Sequence, residues 1–161
     1  MEKTIGNLLA ALALLAPLAT GAETLNGFVV GVLDGETVTF RDEAKKQHRI
    51  RLLGVDAPGK REPFGDLARH NLSRMAFQQP ARAECPLPEG KARWACKVWV
   101  PPSDCPACGN TLDLGLAQIT AGSARWREAD APQQSAEDRG RYESAQGEAM
   151  QRRWGLWSNT Q

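Results

Sequence analysis

The sequence has no excess of charge of either sign. Across 161 residues, 20 Lys and Arg face 19 Asp and Glu, for a net charge of +1. That balance excludes the wholesale basic surface of an architectural DNA-binding protein, so any phosphate-binding site must be local. Glycine (15) and proline (10) fall short of collagen-like or low-complexity abundance, and the modest charge excludes an acidic disordered tail and a coiled-coil rod. There is no internal repeat. Histidine is nearly absent; His48 and His70 are expected at the surface, and neither is assigned to catalysis. Beyond the first segment, no run is long and apolar enough to span a bilayer. A chain of 161 residues, 42% of them hydrophobic, has room for one domain and not for two full-sized cores.

The first segment reads as an address. Met1-Glu2-Lys3 precedes an apolar run from Ile5 to Leu18, broken only by Gly6, Asn7 and Pro17, and small residues follow at Ala19-Thr20-Gly21-Ala22. This is the order of a secretory signal. A buried N-terminal helix or an uncleaved anchor is the alternative, but the run is short and interrupted for a span. Cleavage is expected after Ala22, with Gly21 next, leaving 23–161 as a single domain. The mature protein is expected to be periplasmic or secreted, free of stable membrane association, and monomeric.

Four cysteines, all beyond the signal, agree with export, where an even count reads as disulfides. Cys85 and Cys96 flank the turn-rich Pro86-Leu87-Pro88-Glu89-Gly90. Opposed residues of a hairpin lie ~4.5–5.5 Å apart at Cα, within disulfide reach. Cys105-Pro106-Ala107-Cys108 could close a tight loop. A redox motif ranks second, because Pro101-Pro102 and Gly109 surround it where a strand and a helix are wanted. A zinc site ranks last, with only one C-x-x-C knuckle present.

Thr24 to Leu33 is apolar and β-branched, hence a strand. Asp34-Gly35 signals a hairpin turn, and Thr37 to Phe40 continues as a second strand. Arg49 to Val55 forms a third, ended by Pro58 and Gly59. Phe64, Ala68, Leu72 and Met75 make a helical stripe within Phe64 to Phe77. Ala81 to Glu84 and Trp94 to Val100 are the next strands. Asp113 caps a short helix through Ala121. Ser135 with Asp138 resembles a capping box and opens a helix ending near Gly155, which packs through Tyr142, Ala145 and Ala149. Three strands, a helix, two strands and further helices make an α+β fold whose meander could close as a small barrel.

Several of these residues carry a family resemblance. Asp34-Gly35-Glu36-Thr37-Val38 comes first, then Arg51-Leu52-Leu53-Gly54-Val55-Asp56-Ala57-Pro58, then Pro63-Phe64-Gly65 opening a helix. Asp113-Leu114-Gly115-Leu116-Ala117 lies before Ala121-Gly122, and Gly155-Leu156-Trp157 closes the last helix. In order and spacing, from about residue 24 to 158, this resembles the staphylococcal nuclease (thermonuclease) family. The resemblance implies a five-stranded OB barrel with three helices, a fold whose face can hold oligonucleotides. It also implies calcium-dependent hydrolysis of phosphodiester bonds in DNA and/or RNA. Glu36, Asp56 and the Ala57 carbonyl match metal-binding positions, with Glu36 where the family usually has Asp. Calcium tolerates the extra methylene because its coordination is flexible. Arg51 and Arg93 match the two phosphate-flanking arginines, Arg93 on weaker flanks, since Lys91-Ala92 replaces the usual Tyr-Gly.

One departure is chemical. The family's Asp-x-Pro-Glu carries the proposed general base, but here the pattern is Asp56-Ala57-Pro58-Gly59. Losing a general base typically costs ~10²–10⁴ in rate. Glu62, three residues on, is the substitute the loop offers.

Without the family, Glu36 and Asp56 near a turn and Arg51 on the adjacent strand still make a workable phosphate site. Hard oxygens hold a cation, and an arginine fork neutralises the transferring phosphoryl group. Taken alone, Arg51 and Asp56 read as an ordinary ion pair worth ~0–1 kcal/mol. Trp94, next to Arg93, is the best candidate for stacking a base, while Trp154 and Trp157 are expected to pack at the end of the last helix. Arg125, Arg127, Arg139, Arg141, Arg152 and Arg153 are interleaved with acids and read as a solvated face. Two further readings stay open. One is a catalytically impaired OB module that binds single-stranded nucleic acid; the other is a disulfide-linked protein whose OB face binds a protein partner.

Overall fold

The structure is a computed structural model that describes residues 22–86 and 94–158. The signal segment, Arg93 and most of the Pro86–Gly90 turn lie outside the described residues. Strand β1 (Glu23–Val32) pairs antiparallel with β2 (Thr37–Asp42), and β2 with β3 (Gln47–Leu52). After the two-residue β4 (Val55–Asp56) and helix α1 (Gly65–Ala76), β5 (Pro80–Cys85) returns along the free edge of β1 and β6 (Trp94–Val100) pairs with β5. Parallel pairing of β3 with β6, Arg51 opposite Ala95, closes these long strands into a barrel. Helices α2 (Leu114–Thr120) and α3 (Ala136–Gln151) cover it, joined to it through two short strands, β7 (Leu112–Asp113) and β8 (Arg125–Trp126). This is the α+β OB architecture, a closed five-stranded mixed barrel with helices.

Alternation fills the barrel. Val38, Phe40, Ile50, Leu52, Ala83 and Val98 point inward and are sealed from solvent with Leu72, Leu114, Ile119 and Tyr142. Each large side chain so buried contributes ~1.5–3 kcal/mol. Cys85 and Cys96 fall opposite one another in the β5–β6 register and form a buried disulfide with Cα atoms 4.2 Å apart. Cys105 and Cys108 form the second disulfide, around a single 3-10 turn (Pro106–Cys108). The four thiols are therefore disulfides and not zinc ligands.

Three expectations are corrected. The third strand stops at Leu52 instead of running to Val55, because Gly54 turns the chain at φ 76° before β4 starts in a second, small sheet with β8. The last helix ends at Gln151, short of Gly155: Arg152 is its C-cap, and Arg153 at φ 55° takes the left-handed turn. His48 is not a surface residue. Its side chain is 8% exposed, bonded to Asp42 at 2.7 Å and tilted against Trp94.

Candidate functional site

The site is built around the β1–β2 turn. Asp34 Oδ1 accepts from the Glu36 N–H at 3.0 Å, and the Leu33 N–H donates to the Thr37 carbonyl at 2.9 Å. Gly35 is required here, since a Cβ would fall 2.6 Å from the Ala68 Cβ and 2.8 Å from the Ala57 Cβ. The turn is therefore wedged between α1 and the segment after β4. A sealed glutamine fixes it from behind: Gln118 Nε2 donates to the Gly35 carbonyl (2.7 Å) and the Ala68 carbonyl (3.0 Å), while its Oε1 accepts from Asn71 (2.6 Å). Buried amides hold position only when each polar group has a partner, as here.

Glu36 leaves this turn toward β4. Its Oε2 accepts from the Ala57 N–H at 2.9 Å. Burial pushes its carboxyl above the ordinary range, against the Ala57 N–H and the Arg127 charge, which pull it down. Asp56 stands at the end of β4. One cation joins the two acids: Arg127 Nη2 lies 2.7 Å from Asp56 Oδ1 and 3.4 and 3.5 Å from the Glu36 carboxylate oxygens. Its Nε donates to the Val55 carbonyl at 3.1 Å, and its backbone N–H to the Gly54 carbonyl at 2.9 Å.

Arg51 faces the same turn, opposite Thr37, and its charge is felt at Glu36. Its Nη1 and Nη2 form a fork on Asp130, at 2.6 and 3.0 Å. Nη1 also donates to the Leu52 carbonyl at 3.3 Å. Asp130 is buried and takes the Gly54 N–H at 2.8 Å. With the end of the guanidinium fixed, Nε–H and the second Nη2–H are left to meet an anion side-on.

Glu62 arches back over the glycine of the Pro58-Gly59 loop. Its Oε2 accepts from the Gly59 N–H at 2.8 Å, and a Cβ on Gly59 would lie 3.6 Å from the Glu62 Cδ, in ordinary contact. Its carboxylate thus lies beside the point where a side chain at 59 would begin. Trp94 is half-buried, packed on the core and against His48.

Glu36, Asp56, Ala57 and Arg51 therefore converge. Glu62 lies on the adjoining loop, and Arg93 is outside the described residues. Two site residues escaped the sequence reading. Arg127 reads in the sequence as one of the solvated arginines, and Asp130 carries no motif of its own. Arg125, Arg139, Arg141, Arg152 and Arg153 are exposed as expected. The available signal was the alternation Arg125-Trp126-Arg127, which hides the tryptophan and sends alternate arginines to the other side of a short strand.

A divalent cation suits the donor chemistry. Two carboxylates already share one positive group, and hard oxygens are what calcium takes. Among the described residues, no group of three or more His, Cys, Asp or Glu gathers here or anywhere else, so the two carboxylates would need the Ala57 carbonyl or water to complete a cation's shell.

Residues 49–159 match the family model described as Staphylococcal nuclease homologue. The chain belongs to this family. It is similar to Protein ParB of Escherichia coli, 35% identical over 91 residues, which cover 56% of this chain and 51% of that protein. It is also similar to an uncharacterized endonuclease of Haemophilus influenzae, 35% identical over 54 residues (34% of this chain, 30% of that protein). An uncharacterized endonuclease of Escherichia coli O157:H7 is 46% identical over 41 residues, 26% of each chain. The chain thus spans about half the length of the first relative and less of the others.

Proposed function

We propose that the chain is an exported, calcium-dependent nuclease that hydrolyses phosphodiester bonds in DNA and/or RNA, slowed by the missing side chain at Gly59. One observation carries the reading: Glu36 and Asp56, from different elements, converge on one positive group, the Arg127 guanidinium, beside Arg51. Family membership and relatives named as endonucleases support it.

Glu36, Asp56 and the Ala57 carbonyl would hold calcium, which when bound polarises a phosphoryl oxygen. Arg51 presents its side-on donors to the phosphate, anchored from behind by Asp130. Arg93 is the second clamp, and Trp94 the base-stacking group. A guanidinium fixed before substrate arrives stabilises the charge on the equatorial oxygens without reorganising. Water attacks phosphorus and the bond to the leaving oxygen breaks, yielding a phosphate monoester and a hydroxyl. Glu62 orients that water and takes its proton. Export is supported by the signal-like segment together with two disulfides.

The mature protein is expected to cleave DNA or RNA with calcium and to stop with chelator. Gly59→Glu should fit, since its Cβ meets nothing closer than 3.6 Å, and should raise the rate by less than the ~10²–10⁴-fold of a wholly absent base, because Glu62 already serves in part; the full gain would show that Glu62 does not act. A second reading, a binding module with lost chemistry, is favoured by Gly59 itself. It predicts oligonucleotide binding with no chelator-sensitive cleavage at high enzyme concentration, and that outcome would overturn the nuclease.

A further inference from the structure

Arg127 is the group that the nuclease reading leaves unexplained. Its guanidinium sits where the two acids meet, so its charge and a divalent ion cannot occupy the pocket together. We propose that Arg127 is a resident counter-cation: it neutralises Glu36 and Asp56 until a divalent ion displaces it, and so sets how tightly the pocket takes that ion. The inference rests on the proposed metal-binding role of these two acids and adds a competitor to it.

The geometry marks Arg127 as displaceable. Its contacts to Glu36 are long, 3.4 and 3.5 Å, so only the 2.7 Å bond to Asp56 is close. Its side chain is 33% exposed and the Asp56 side chain 45%, so the pair opens to solvent. The backbone N–H stays on the Gly54 carbonyl, which fixes the start of the side chain, so displacing the planar guanidinium gives up the bond to Asp56 and the 3.1 Å Nε–H bond to the Val55 carbonyl while residue 127 keeps its place. Asp130, three residues on, behaves in the opposite way. It is buried, and a fork to Arg51 and the Gly54 N–H hold it. One short segment therefore carries a fixed anchor for the phosphate-facing arginine and a movable plug for the cation pocket. Once displaced, the Arg127 guanidinium stays at the rim, where the incoming phosphate is the natural anion for it.

Calorimetric titration of calcium alone, without nucleic acid, into the mature wild type and Arg127→Gln tests this. Arg127→Gln removes the charge and keeps a shorter, polar side chain. It should bind calcium on the order of tenfold more tightly, because no resident cation has to leave. Equal or weaker binding by a variant that still melts cooperatively overturns the proposal and leaves the metal site standing. If neither protein binds calcium at millimolar concentration, the proposal and the metal site both fail. Should Arg127→Gln not fold, arginine side-chain NMR spectra of the wild type read the same event. Calcium should shift the Arg127 resonances along the calorimetric isotherm, and binding that leaves them unmoved overturns the proposal.

Discussion

At the scale of single residues, the site depends on which face of each charged group is already in use. Arg51 uses the end of its guanidinium on Asp130 and leaves its side open, where the proposed function puts the phosphate. Lysine cannot divide its donors in this way, because it is a point charge on a flexible stem. Arg51→Lys should therefore lower kcat ~10²–10³-fold in a steady-state cleavage assay, with the far-UV spectrum unchanged. An activity within about twofold of wild type would show that the fork is structural only. Glu62→Gln carries a similar test. It keeps an acceptor for the Gly59 N–H but cannot take a proton, so it should cost ~10²-fold or more if Glu62 serves the water. In the background of Gly59→Glu the same change should be nearly silent.

At the scale of elements, caps and cross-links decide where the site's walls stand. Asp113 caps α2, its Oδ1 accepting from the Gly115 and Leu116 N–H groups at 3.0 and 3.2 Å, and it also takes the Tyr142 hydroxyl. Burial pushes its carboxyl above the ordinary range, outweighing the Leu116 N–H and Lys97. A group whose pKa is raised on folding adds stability that is fully present below its unfolded value of 3.8 and lost as pH rises through the folded value. Asp113→Asn retains a cap acceptor without the charge. Thermal melts between pH 3 and 7 should show Asn gaining on Asp as pH rises, whereas a constant difference would contradict this. Behind the β1–β2 turn, Gln118→Leu would leave the Gly35 carbonyl without its side-chain donor and Asn71 without its acceptor, and take a second bond from the Ala68 carbonyl. It should cost ~2–4 kcal/mol in denaturant unfolding. The Cys85–Cys96 bridge closes a separation of 11 residues and Cys105–Cys108 one of 3. Because the longer loop restrains the unfolded chain more, alanine replacement of the first pair should lower Tm further than replacement of the second.

At the scale of the whole molecule, local chemistry was legible and long-range closure was not. Asp34-Gly35 announced the hairpin, Asp113 and Ser135 announced their helices, and the spacing of Cys85 and Cys96 about a turn announced their bridge. Each is a signal between near neighbours. The contacts that complete the site join residues 71 to 91 positions apart: Arg127 with Asp56 and Glu36, and Asp130 with Arg51. No periodicity encodes such pairs. They arise because Gly54 breaks the third strand and frees β4 to pair with β8, which sets the Arg127–Asp130 segment against Glu36, Arg51 and Asp56. The resemblance supplied Glu36, Arg51 and Asp56 by position, but not the internal cation and anion that meet them here, since those depend on this chain's own Arg127 and Asp130.

The central claim is that Glu36 and Asp56 serve one cation that supports phosphodiester cleavage. The most direct test is the calcium dependence of DNA cleavage by wild type, Glu36→Gln and Asp56→Asn at high enzyme concentration. The account predicts chelator-sensitive cleavage by the wild type, and for each variant a large rise in the calcium required or no cleavage at all. Cleavage that ignores chelator, or variants that respond to calcium as the wild type does, would contradict it.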